Sequence, residues 1–305
     1  MSSIYLNQLE RRLTQTLMKE DDSSAPPKSI CESVHLENLN MLNANLRRSF
    51  GGKFTHPSEF ADNKEMLLNI KKQKLSKNEW KAVESFNFNP KRKTSASPNF
   101  ISDLFELMIE RNALTNLLNN GWLNTDIINV YFNMLEERDT RGNNGIQKST
   151  YLPAALFKIY TERNTLGFDF VKRWTKKVHI FDMQKVYVAV NYTSTHWALI
   201  VISIPETTLR YYDSLNGYPA ATSLMKMKEW LSEVAKLENF PYVEAEWKTS
   251  VEDCSKQNNC HDCGVFILKF AEYTADGLSA SEVVQTDMKE HRRKIAAAIL
   301  KGYIE

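Results

Sequence analysis

The stretch from Lys185 to Tyr212 constrains the fold of this chain more than any other. Trp197 to Ile204 reads Trp-Ala-Leu-Ile-Val-Ile-Ser-Ile, an almost unbroken apolar run. A run of that length suits a strand buried on both faces and falls far short of the ~20 residues a membrane-crossing helix needs. Lys185 to Tyr192 before it and Thr208 to Tyr212 after it carry the same Val, Tyr and Thr texture, with Pro205-Glu206 turning between the last two. Strands of this kind demand a sheet, and the faces of the sheet demand covers.

The covers are legible as helices on either side of the strands. Ile127, Ile128, Tyr131, Phe132 and Leu135 recur at helical spacing, with Asn124 or Thr125 as N-cap. Leu104, Phe105, Met108 and Ile109 recur likewise and predict an earlier helix. Pro153 suits the first turn of a helix through Leu156, Ile159 and Tyr160. Beyond the strands, Leu224 to Leu237 predicts a helix and Tyr242 to Trp247 another strand. Gly264 to Tyr273 is apolar nearly all round and predicts a buried helix, and Val284 to Leu300 closes the chain as a helix. Helices, then strands, then helices describe an α+β domain with a central sheet packed between helices.

Composition sets the outer bounds. A chain of 305 residues suggests about two domains, or one large domain with an appendage. The hydrophobic share of 42%, with 15 Phe, 12 Tyr and 6 Trp, is ample for a core. A net charge of +2 points to neither nucleic acid nor membrane as main partner. Met1 to Leu17 lacks the apolar centre of a secretory signal. Four cysteines, three of them within ten positions, do not make a disulfide framework. A soluble, reduced, intracellular protein is expected.

The overall charge hides an asymmetry. The first 100 residues hold 16 Lys+Arg against 11 Asp+Glu, a net of +5, and the other 205 hold 23 against 26, a net of −3. Asp21 to Pro27 and Asn89 to Pro98 are polar, proline-bearing stretches of linker type. Residues 1–98 therefore read as a basic, largely disordered or loosely helical extension, with helix expected over Ile4 to Met18 and Lys64 to Phe86. Residues 99–305 read as the globular domain. Lys71, Lys72, Lys74, Lys77 and Lys81 make either a solvated helix face or a docking surface, and Lys91-Arg92-Lys93 is a short basic cluster of nuclear-import type.

Chemistry concentrates at Cys254, Cys260 and Cys263, with His261 between them. Four such side chains are potential zinc ligands, but structural zinc sites normally draw on two separated pairs, and Cys263 opens an apolar helix. No metal is expected. Cys254 and Cys31 read as simply buried. Cys263 stands where loop becomes helix, where unpaired N–H groups and the helix dipole stabilise a thiolate. A nucleophile there needs a base, an orienting group and an oxyanion hole. His196 opens the strongest strand and Asp213 ends the next, so a hairpin would set them side by side at one sheet edge. Gln257 is a neutral amide donor in the approach to Cys263, suited to a developing oxyanion. Singly, His196 reads as structural and Asp213 as a turn residue; with Cys263 they point to nucleophilic catalysis.

From about Phe100 to the C-terminus, the chain resembles the catalytic domain of the SUMO-specific (sentrin-specific, ubiquitin-like-protein-specific) cysteine proteases. Trp122-Leu123-Asn124, Ile127-Ile128-Asn129, the segment Val171 to Val178, His196-Trp197, Tyr211-Tyr212-Asp213-Ser214, Gln257-x-Asn259 and Asp262-Cys263-Gly264 stand in that family's order. The resemblance implies a papain-like fold of the ubiquitin-like protease type, with a central mixed sheet between helices. It implies Cys263 as nucleophile, His196 as base, Asp213 as its orienting group and Gln257 in the oxyanion hole, with no cofactor. It implies that Trp122 and Trp197 cover a tunnel for a Gly-Gly tail, and that the partner is SUMO or another ubiquitin-like modifier and its conjugates. Residence inside the cell is expected, in the nucleus or else in the cytoplasm. The alternatives are NEDD8 or ubiquitin as substrate, or acetyl transfer of the kind some related bacterial effectors perform. One departure stands out: the family commonly carries Asp after Trp-Leu-Asn, and here that residue is Thr125, with Asp126 one place later.

Overall fold

The computed structural model describes residues 57–85, 100–142, 145, 147–162, 167–175, 178–192, 194–215 and 217–304. The chain divides into two compact units, Met1–Lys71 and Lys72–Glu305. Described residues of the first belong to one helix, α1 (Pro57–Lys72). In chain order there follow α2 (Lys77–Ser85), β1 (Phe100–Leu104), β2 (Leu107–Glu110), α3 (Arg111–Leu118), α4 (Thr125–Gly142), β3 (Ser149–Leu152), α5 (Leu156–Glu162) and α6 (Gly167–Val171). Then come β4 (Lys185–Tyr192), β5 (His196–Ser203), β6 (Thr208–Tyr212), α7 (Ala220–Glu238), β7 (Lys248–Val251), α8 (Cys263–Ala275) and α9 (Met288–Lys301). No described helix is long and apolar enough to cross a membrane.

The sheet is five-stranded and mixed, in the order β3-β4-β5-β6-β7. β4, β5 and β6 form an antiparallel meander, and β3 and β7 run parallel to their neighbours at the two edges. Every residue of β5 is buried, as a strand in the middle of a sheet covered on both sides must be. Helix α8 packs on β5, α5 on β4, α7 on β6, and α4 on both β3 and α8. The architecture is α+β, with a mixed sheet between helices.

Local chemistry explains where the chain departs from its expected elements. Leu104 to Ile109 is a β-hairpin, not a helix, and Phe105 and Glu106 turn it with φ of 55° and 59°. The expected helix over Lys64 to Phe86 is two helices. Ser76 begins the second through a capping box: its Oγ accepts from the Glu79 N–H at 3.3 Å, and Glu79 Oε2 accepts from the Ser76 N–H at 2.8 Å. Helix α4 is capped by Asn124, whose Oδ1 accepts from the Ile127 N–H at 3.1 Å. Tyr242 to Trp247 is not a strand; a short 3-10 turn occupies Glu244–Glu246, and pairing begins at Lys248.

The globular unit also begins earlier than composition indicates. Helix α2 packs on α9: Arg293 lies 4.0 Å from the Trp80 ring centre, Lys301 pairs with Glu79 at 2.5 Å, and the Leu75 N–H donates to Glu290 at 2.8 Å. Val83 is buried. Charge counting over the first hundred residues overlooks this helix because its lysines face solvent while Trp80 and Val83 do the packing. Ile4 to Met18, Asp21 to Pro27, Cys31 and Asn89 to Pro98, with its basic cluster, lie outside the described residues.

Candidate active site

Three element ends converge. β5 begins at His196, β6 ends one residue before Asp213, and α8 begins at Cys263. Leu199 pairs with Tyr212 in the antiparallel register, which brings the start of one strand to the end of the other. The His196 Nε2 and Asp213 Oδ1 are 2.7 Å apart, and both side chains are buried. Asp213 Oδ1 also accepts from the Leu215 N–H at 2.8 Å. Burial pushes the Asp213 pKa up, but the bonds from His196 and Leu215 and the charges of His196 and Lys256 outweigh it and hold the carboxyl below its usual range. Burial likewise opposes charge on His196, yet the bond to Asp213 and the attraction of an anionic sulfur at neighbouring Cys263 raise its pKa to about 9. With Nε2 on the carboxylate, Nδ1 is the nitrogen left for that thiol.

Cys263 is buried at the first position of α8. That end of the helix presents backbone N–H groups and the positive pole of its dipole, which favour an anion on the sulfur. Gln257 is held on both sides of its amide. Its Oε1 accepts from Ser214 Oγ at 2.6 Å and its Nε2 donates to the Asn259 carbonyl at 2.5 Å, which leaves the second N–H of Nε2 for another acceptor.

The segments of the two tryptophans are linked. Trp197 follows His196 in β5, is buried, and donates its indole N–H to the Leu123 carbonyl at 3.2 Å. Leu123 in turn rests on Gly264: a Cβ there would stand 2.9 Å from Leu123 Cβ. The segment carrying Trp122 is thereby fastened beside the start of α8, and Trp122 itself is 50% exposed. A large indole left half in solvent is available to a ligand. Among the described residues, no group of three His, Cys, Asp or Glu side chains is placed to hold a metal ion.

Residues 121–303 match the model of the Ulp1 protease family, C-terminal catalytic domain. The chain belongs to the Ulp1 protease family. Its relatives include the ubiquitin-like-specific protease ESD4 of Arabidopsis thaliana, 31% identical over 60% of this chain and 38% of the relative. Sentrin-specific protease 2 of Rattus norvegicus is 30% identical over 66% of this chain and 33% of the relative. The chain thus spans about a third of the length of these relatives. Among solved structures, the C-terminal Ulp1 protease domain in complex with Smt3, the yeast ortholog of SUMO, superposes with a TM-score of 0.63 at 21% identity, covering 75% of this chain and 97% of that one. The Ulp1-like catalytic domain of Chaetomium thermophilum gives 0.64 at 23% identity, covering 76% and 92%. These establish the papain-like fold of Ulp1 catalytic domains.

Within this Ulp1-family domain, sequence reasoning missed two groups. Arg292 of α9 is buried and reaches Asp262, the residue before Cys263, through Nε at 2.9 Å and Nη2 at 2.7 Å. The same guanidinium donates to the carbonyls of Leu117, Gly121 and His261. One side chain therefore ties the turn into α8 to the segment before Trp122. Burial raises the pKa of Asp262, but bonds from Asn259, Gln285 and Arg292 bring it net below its ordinary value. An arginine within a C-terminal helix carries no sequence signal of this contact. The second group is Tyr218, whose ring stacks on His196 at 4.4 Å; its place in a loop after Asp213 gave no hint of it.

Proposed function

We propose that this chain is a cysteine protease that hydrolyses the C-terminal Gly-Gly peptide or isopeptide bond of SUMO, both maturing precursors and releasing SUMO from conjugates. The observation that carries this reading is the buried His196–Asp213 pair, 2.7 Å apart, set against a cysteine at a helix start. The relatives' names, sentrin-specific and ubiquitin-like-specific protease, supply the substrate class. The cell interior, chiefly the nucleus, is the compartment in which such conjugates would be met.

The imidazolium of His196 stabilises the Cys263 thiolate. The sulfur attacks the carbonyl carbon of the terminal glycine, and the π electron pair moves onto oxygen. Gln257 Nε2–H and backbone N–H groups at the start of α8 hold that oxyanion. Collapse expels the amine, which takes its proton from His196 and leaves a thioester on Cys263. His196 then removes a proton from water, the hydroxide attacks the thioester, and the thiolate and imidazolium are restored. Asp213 holds the imidazole in orientation throughout. Trp122 and Trp197 flank the tail; glycine lacks a Cβ, so indoles can approach an extended Gly-Gly closely.

Thr125 bears on the choice of modifier. A carboxylate there would pair with a cation near the modifier's tail, and threonine cannot. Asp126 does not substitute for it, since its Oδ2 accepts from Asn124 Nδ2 at 3.2 Å and one helical step rotates a side chain by about 100°. A partly shielded pair is worth about 1 kcal/mol, severalfold in affinity. The test is competition among SUMO, NEDD8 and ubiquitin precursors for wild type and Thr125→Asp. SUMO is expected to be cleaved best by both, and better by the variant at low salt; processing of ubiquitin or NEDD8 in preference to SUMO would overturn the substrate assignment.

A further inference from the structure

The proposed mechanism asks much of one imidazole. His196 must keep Nε2 on Asp213 while Nδ1 stays toward Cys263 through two proton transfers. The hydrogen bond to Asp213 fixes one end of the ring but leaves rotation about its own axis open. Nδ1 is buried and makes no hydrogen bond of ordinary length among the described residues, so it contributes no second anchor.

The flat face of the ring is where a second anchor exists. Tyr192 and His196 are directly paired across β4 and β5, with ring centres 6.2 Å apart and planes 11° apart. Tyr218 lies over both: it is 4.4 Å and 15° from His196, and 4.6 Å and 24° from Tyr192. Tyr192 is itself fixed, since its hydroxyl meets Ser223 Oγ at 2.6 Å and the Tyr211 hydroxyl at 3.0 Å. Ser223 belongs to α7, whose first residue, Ala220, donates its N–H to the Tyr218 carbonyl at 2.8 Å. The tile of three near-parallel rings is therefore held by the sheet on one side and the start of α7 on the other.

We propose that Tyr218 is a positioning residue: its ring fixes the plane of the His196 imidazole and keeps water from the His196–Asp213 hydrogen bond. The inference rests on the reading of Cys263 and His196 as nucleophile and base. A parallel aromatic face also suits an imidazolium, because the negative face of the tyrosine ring attracts the cation. The face is what matters, so phenylalanine should serve as well as tyrosine.

The test uses the full chain with Tyr218→Phe and Tyr218→Ala, each checked by its melting curve. If the alanine variant does not fold, Tyr218→Gln, of similar reach without an aromatic face, takes its place. Alkylation of Cys263 by iodoacetamide, followed on its peptide by mass spectrometry, needs no modifier substrate. The far-downfield proton resonance of the His196 Nε2–H reports exchange with water. Tyr218→Phe should match wild type in both. Tyr218→Ala should lose the resonance to exchange, alkylate severalfold more slowly at neutral pH, and show about a tenfold fall in kcat on SUMO precursor at unchanged KM. A folded Tyr218→Ala with wild-type alkylation and resonance overturns the proposal. So does a Tyr218→Phe as impaired as Tyr218→Ala, or a Tyr218→Ala that raises KM alone. Should wild type cleave no modifier precursor, the substrate assignment fails while the alkylation contrast still decides the role of Tyr218.

Discussion

At the scale of residues, the proposed chemistry turns on the charge of His196. Its pKa of about 9 means that the imidazolium persists through neutral pH. The proposed mechanism, in which a thiolate is held beside an imidazolium, needs that proton. Hydrolysis should therefore fall as pH rises past about 9. Asp213→Asn removes the carboxylate that supports the charge, so the alkaline limb should move to lower pH, and turnover should drop by roughly 10²- to 10⁴-fold. A pH profile of kcat/KM for both proteins checks the sign. The other two described cysteines should be dispensable for chemistry. The Cys254 thiol donates to the Asp213 carbonyl at 3.4 Å and Cys260 is exposed, so Cys254→Ala and Cys260→Ala should keep most activity while Cys263→Ala loses it. The residues of this site could be read from sequence because each stands at an element end: a histidine opening a strand, an aspartate closing one, a cysteine starting a helix. Tyr218 and Arg292 could not. A stacking partner and a buried guanidinium depend on where distant segments meet, and neither leaves a local pattern.

At the scale of elements, the question is what keeps the start of α8 still. The C-terminal half of α8 is anchored against α4 by a charged cluster: Glu272 accepts from the Tyr131 hydroxyl at 2.8 Å and from Lys269 at 2.6 Å, and Arg138 meets Asp276, just past the helix end, at 3.0 Å. Its first turn is held by Asp262–Arg292 and by the contact of Leu123 with Gly264. Gly264→Ala would force Leu123 aside, strain costing about 1–3 kcal/mol, and would move the Trp197 anchor with it. Urea titration together with kcat/KM should show both losses. Arg292→Met should be harsher, because it takes the charged partner from the buried Asp262 carboxylate, which keeps Asn259 and Gln285, and the guanidinium donor from three carbonyls. The expected cost is about 3–5 kcal/mol, read as a lower denaturation midpoint. The strands and helices near this site follow apolar periodicity closely, which is why β4, β5, β6 and α8 were legible. The hairpin β1–β2 was not: Leu104, Phe105, Met108 and Ile109 fit helical spacing, and the two residues that turn it are Phe and Glu, where glycine or asparagine would have marked a turn.

At the scale of the whole molecule, the second compact unit should carry the chemistry by itself. It spans Lys72–Glu305, and α2 belongs to it through Trp80, Val83 and Glu79. A chain beginning at Lys72 should therefore melt and hydrolyse like the full chain, whereas one beginning at Asn99, which lacks α2, should melt lower. Calorimetry on the two truncations separates these outcomes. The boundary lay hidden in sequence because α2 is short, lysine-rich and followed by a polar stretch, so its two packing residues were outweighed in any average. The central claim, that this Ulp1-family fold directs Cys263 at the glycine tail of SUMO, is tested most directly by SUMO, NEDD8 and ubiquitin each bearing an electrophile in place of the terminal carboxylate. A covalent adduct is expected with the SUMO probe, mapped to Cys263 and absent from Cys263→Ala; an adduct on another cysteine, or with ubiquitin or NEDD8 in place of SUMO, would overturn the assignment.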